Sequence, residues 1–217
     1  MKKAFTLSEV LITLAIIGVV SVLTLPNIYK KVNSKIMVET LKNTYSQLVD
    51  AMRNKLSDEG VYIWQDVIPD SNDEMPSFTQ EFLTEYLDVV KVCQSFEECF
   101  ADSYSDLSSS GYVFNHANNY FQIGNSVILN NKATVMFTSK REQRYAVNEY
   151  FNVYVDVNGK LPPNILGVDF FNIDVLYNDV TSTNLSGACL SACAHSAGHS
   201  PCCFSTLKAN NWEPLKY

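Results

Sequence analysis

An α+β fold is what this sequence predicts: one long N-terminal helix and, after it, an antiparallel β-sheet. Three features point there. Residues Phe5 to Leu25 form an apolar run that carries a single charge, Glu9. Apolar residues then recur near helical spacing as far as Leu56. The second half of the chain holds short stretches rich in Val, Ile, Phe and Tyr, bounded by turn-forming residues. A sheet with an apolar face needs a cover, and the amphipathic part of the helix supplies one.

The apolar run is 21 residues long. At about 1.5 Å per residue a helix of that length reaches about 30 Å, the thickness of a bilayer core. Lys2 and Lys3 precede it and the next charge after Glu9 is Lys30. The positive-inside rule then keeps the N-terminus cytoplasmic and sends the remainder outward. A secretory signal peptide shares the basic start, but its apolar core spans about 7–15 residues and closes on an A-x-A-like site, and no such site closes this run. A simple anchor gives no reason for Glu9. A carboxylate deep in lipid costs about 2.5–3.5 kcal/mol or more, so an ionisable group there marks a functional position.

The stretch Lys2-Lys3-Ala4-Phe5-Thr6-Leu7-Ser8-Glu9-Val10-Leu11-Ile12 closely resembles the prepilin leader of type IV pilins and type II secretion pseudopilins. The resemblance covers about thirty residues and implies the pilin architecture, a long helix packed on an antiparallel sheet. It implies that a prepilin peptidase cuts between Ala4 and Phe5 and methylates the new amino group of Phe5. Ala4 departs from the glycine usual before the cut; a small residue still fits a tight protease pocket. Glu9 falls where the family keeps its glutamate, and Gly18 and Pro26 fall where many pilins have helix-loosening residues. The implied partners are the prepilin peptidase, other pilin or pseudopilin subunits, an inner-membrane assembly platform and the lipid bilayer. The physical logic of Glu9 agrees. Cleavage creates a cationic amine in a low-dielectric setting, and a neighbouring subunit's amine would pair a carboxylate that a lone subunit leaves poorly satisfied.

These features divide the chain into a leader, 1–4, a transmembrane or filament-core helix, 5–25, and an extracytoplasmic domain, 26–217. The domain includes an amphipathic half-helix to about residue 57, ahead of Gly60. Pro26 is expected to bend or locally melt the helix. Pro69 to Pro76 reads as a polar connector, and Ser77-Phe78-Thr79-Gln80 as a capping box opening a short helix with Phe82, Leu83, Tyr86, Leu87 and Val90 on its apolar side. Candidate strands are 111–115, 120–129, 133–138, 144–157 and 168–177. Phe151 to Val157 alternates as a half-buried strand does.

Two clusters invite metal chemistry. Asp156, Asn158 and Asp169 flank an Asn-Gly turn and could offer hard oxygen ligands to calcium. Position twelve of that loop is Gly167 rather than a bidentate glutamate, and the plainer reading is a turn stiffened by Pro162 and Pro163 between strands. Some pseudopilins hold calcium in a late sheet loop, which favours the first reading by resemblance. The tail holds Cys189, Cys193, Cys202 and Cys203 with His195 and His199. Zinc takes such ligands, but the spacing matches no standard finger and an exported chain favours bridges. Disulfides among Cys189, Cys193, Cys202 and Cys203, in an order left open, and a bridge between Cys93 and Cys99 are expected.

The formal net charge is −7, with 47% hydrophobic and 18% charged residues. An acidic balance argues against nonspecific nucleic-acid binding. No G-x-S-x-G, H-E-x-x-H or phosphate-binding glycine loop occurs, so no enzyme is expected. The function expected is a filament subunit; the alternative is a membrane-anchored extracytoplasmic binding module, for metal or glycan, that does not polymerise.

Overall fold

The computed structural model describes residues 6–69, 73–105, 113–114, 125–137, 150–176 and 202–214. Helix α1 (Leu7–Glu59) is followed by a 3₁₀ turn (Trp64–Asp66), α2 (Met75–Tyr86), β1 (Val89–Val92), the single-turn α3 (Phe96–Cys99), β2 (Tyr104–Ser105), β3 (Val113–Phe114), β4 (Ser126–Leu129), β5 (Thr134–Phe137), β6 (Tyr150–Asp156), β7 (Phe170–Leu176) and α4 (Cys202–Ala209). The chain forms two compact units, Met1–Ile36 and Met37–Tyr217. The class is α+β: a long N-terminal apolar helix and an antiparallel sheet of order β1-β4-β5-β6-β7.

Helix α1 stops where its chemistry predicts. Gly60 takes φ +68°, the Gly60 N–H donates to the Ser57 carbonyl and the Val61 N–H donates to that of Leu56. That pair of bonds is a Schellman stop, and only glycine enters its left-handed position without strain. Of the two outcomes expected of Pro26, a bend or a local melting, the melting is corrected. The proline removes one backbone donor, yet helical residues continue on both sides of it, because one lost bond does not outweigh those that remain.

In the second unit, sheet alternation sorts side chains into two cores. Val127, Leu129, Val135, Phe137, Val153, Val155, Ile173 and Val175 face Met37, Leu41, Leu48 and Met52 of α1, together with Phe82 of α2 and Phe204 of α4. Met136, Tyr154 and Phe170 face the other way, into a core with Cys93, Phe96, Cys99, Phe100, Tyr104 and Leu166. β6 is therefore not the half-buried strand its alternation suggested. Both of its described faces are covered, from Asn152 through Asp156.

The expected strands survive in shortened form as β3 to β7. Residues 111–112, 115, 120–124, 138, 144–149 and 177 of those expectations lie outside the described residues. The capping box at Ser77 is corrected. α2 begins at Met75, with Pro76 in its first turn, where a missing N–H costs nothing. The Ser77 hydroxyl donates back to the Glu74 carbonyl from inside the helix. Val90 is also corrected: it stands in β1, 68% exposed, because α2 ends at Tyr86 and Leu87 is already extended.

Candidate functional site

In the N-terminal unit, every large apolar side chain from Leu7 to Leu25 is at least 43% exposed. Exposure all round the helix is not an amphipathic stripe; such a surface calls for apolar surroundings on every side. Among the described residues, this is the one helix long and apolar enough to cross a membrane by length and composition.

At its start stands a reciprocal cap. The Thr6 N–H and hydroxyl both donate to Glu9 Oε2 at 2.8 Å, and the Glu9 N–H donates to Thr6 Oγ1 at 3.3 Å. Thr-x-x-Glu is a capping box: it satisfies donors that a helix start leaves open and places an anion at the positive end of the helix dipole. Sequence reasoning missed Thr6, although the Thr-x-x-Glu spacing was legible. The expectation that a lone subunit leaves Glu9 poorly satisfied is corrected accordingly. Its carboxylate has local hydrogen bonds but, among the described residues, no cation. Ala4 and Phe5 lie outside the described residues.

Residues 1–25 match the family model for the prokaryotic N-terminal methylation motif. The chain carries the prepilin-type signal. That signal marks precursors of the type IV pilin and pseudopilin kind and implies processing by a prepilin peptidase and assembly with other pilin subunits. No curated protein and no solved structure gives a significant match to the chain. Residues 6–25 of the prepilin-type signal, Glu9 and Gly18 among them, are described. A Cβ added at Gly18 would meet nothing within 4 Å, so packing inside the single chain gives no reason for glycine there.

The second candidate site does assemble. Asp156 closes β6 and Asp169 precedes β7, and the loop between them turns through Gly159 at φ +62°. Asp156 Oδ2 accepts from the Tyr104 hydroxyl at 2.6 Å and Oδ1 from the Asn158 N–H at 3.1 Å. Asp169 accepts from the N–H groups of Asn164 and Ile165, each at 2.6 Å. The Asn158 amide donates to the carbonyls of Leu161 and Pro162. Burial pushes the Asp156 carboxyl well above its ordinary range, and the neighbouring Asp169 charge adds to this; burial pushes Asp169 up to about 6.

As a calcium site, this donor set is a poor fit. Calcium takes about six to eight oxygens, whereas the four carboxylate oxygens here already serve N–H and O–H donors. Among the described residues no group of three or more His, Cys, Asp or Glu side chains is placed to hold a metal ion. The hydrogen bonds instead fasten the loop over the sheet. The Ser105 N–H donates to the Asn164 carbonyl, the Leu166 N–H to the Ser105 carbonyl, and Lys160 Nζ to the Glu97 carbonyl.

Cys93 and Cys99 form the expected bridge, buried in the second core with Met136, Tyr154 and Phe170. Cys203 is also disulfide-bonded. Cys189, Cys193, His195 and His199 lie outside the described residues, as does His116.

Proposed function

We propose that this protein is a structural subunit of a type IV pilus or type II secretion filament, anchored as a single-pass membrane protein until assembly. The carrying observation is the prepilin-type signal joined to a helical run, Leu7 to Leu25, whose large apolar side chains are exposed on all sides. An inner-membrane platform would extract the subunit, and the helix would exchange lipid for the helices of neighbouring copies. Cleavage between Ala4 and Phe5 frees an amine, and Glu9 of an adjoining copy receives it. Gly18 and Pro26 act in that packed state as points where the helix yields. The second unit faces outward, and no chemistry is assigned to it.

Glu9 has two roles to separate, the local cap and the intermolecular charge. Glu9→Gln keeps the capping box, since glutamine also serves it, but discards the charge. Breaking a buried ion pair by removing one partner costs about 3–5 kcal/mol, so both Glu9→Ala and Glu9→Gln should lower filament incorporation by about a hundredfold or more, with membrane insertion intact. Normal incorporation of Glu9→Gln would reduce Glu9 to a helix cap. Mature chains that keep residues 1–4 by intact mass would overturn the filament reading and leave an anchored outward domain.

A further inference from the structure

The end of the apolar run carries a basic collar. Lys30, Lys31 and Lys35 are exposed, and Tyr29 beside them is 71% exposed. At 1.5 Å per residue, Lys30 stands about 7.5 Å beyond Leu25 and Lys35 about 15 Å beyond it. The polar layer of a bilayer adds roughly 5–7 Å to each side of the hydrocarbon. Lys30 and Lys31 thus emerge at the outer edge of that layer, with the phosphates in reach of their flexible stems, and Lys35 follows about one turn farther out. Tyr29 supplies the amphipathic ring that favours the same boundary.

The collar has a defined shape and no internal partner. Lys31 and Lys35 are one turn apart on one face, and Lys30 lies about 100° round the helix from Lys31. Together they sweep about 140° of the circumference. No Asp or Glu occurs between Glu9 and Glu39, and none of the three lysines makes an ion pair among the described residues. Basic character is also local. Five of the 16 basic residues and one of the 23 acidic ones precede Met37, leaving 11 basic and 22 acidic residues beyond. The rest of the chain is repelled by an anionic surface, so attraction to one is concentrated here.

We propose that Lys30, Lys31 and Lys35 form a docking site for anionic phospholipid headgroups, phosphate diesters with net negative charge, where α1 leaves the bilayer. The proposal rests on the reading that the apolar run is membrane-inserted. Each collar lysine is worth about a fivefold preference for an anionic over a neutral surface. Its function would be to hold the subunit at fixed depth and rotation before extraction.

The test uses the full chain reconstituted in vesicles of phosphatidylcholine alone or mixed with phosphatidylglycerol. Lysine acetylation rates are read by mass spectrometry, with exposed Lys132 and Lys160 as internal references. Phosphatidylglycerol should slow modification of the three collar lysines several-fold relative to those references. Salt near 1 M, where the Debye length is about 3 Å, should abolish the difference. Equal rate ratios in the two lipids would overturn the proposal. So would protection that follows protein density rather than lipid, which would assign the collar to the acidic unit of a second copy. Release of the chain by alkaline carbonate would sink the membrane reading itself. As a second readout, phosphatidylglycerol should co-purify with the native protein and be lost from the K30Q/K31Q/K35Q chain; undiminished lipid there refutes the collar.

Discussion

Tyr104→Phe isolates one hydroxyl that ties the second core to the sheet. Tyr104 is 1% exposed, donates to Asp156 Oδ2 at 2.6 Å and accepts from the Ala101 N–H at 3.1 Å. The substitution keeps the ring and its packing on Phe170, whose centroid lies 4.1 Å away. It strands one buried acceptor and one buried donor. Each unsatisfied group costs about 1–3 kcal/mol, so the loss should be about 2–6 kcal/mol. That is a large fraction of the roughly 5–15 kcal/mol that holds a domain together. The assay is urea unfolding of the full chain in mild detergent, followed by near-ultraviolet circular dichroism. The midpoint should fall with the slope unchanged, and Tm should drop by about 2–4 °C per kcal/mol. Asp156→Asn keeps one oxygen for the hydroxyl but sets an amide N–H₂ against the Asn158 N–H, so it too should be destabilising. A Tyr104→Phe chain within about 0.5 kcal/mol of the native one, inside the ordinary range for surface changes, would refute the tie.

Three further outcomes concern Asp169, the loop it anchors, and Gly18. Asp169 is raised in the folded chain from an ordinary 3.8 to about 6, so folding favours its protonated form. Its contribution is therefore full below about pH 4 and is lost as pH rises through about 6. The urea midpoint should fall across that window, and Asp169→Asn should flatten the trend. Calcium and a chelator should give the same Tm for the full chain; a rise of several degrees with calcium would restore the ion to the loop between Asp156 and Asp169. Gly18→Ala should add up to about 1 kcal/mol of helix propensity and leave the folded monomer's circular dichroism unchanged, while slowing filament growth. Unaltered growth would show that the glycine has no role in assembly.

Local chemistry made much of this protein legible before folding. The apolar run, the carboxylate inside it and the stop at Gly60 are set by neighbours within one or two helical turns, so spacing alone reveals them. The cap between Thr6 and Glu9 belongs to the same class and was readable from a four-residue spacing. The strands that became β4 to β7 were visible because side chains alternate.

Other features depend on residues far apart in the chain. The second core is invisible to periodicity, since alternation shows that a strand has two faces but not that both will be covered. Residues 93–104 fold back over Met136, Tyr154 and Phe170, and only that long-range contact turns Asp156 from an exposed candidate ligand into a buried acceptor for Tyr104, 52 positions away. Sequence set the helix, its anchor chemistry and the strand pattern, because each is a short-range consequence of side-chain type. Tertiary structure decided the fate of the acidic loop, because burial and hydrogen-bond supply arise only when distant segments meet.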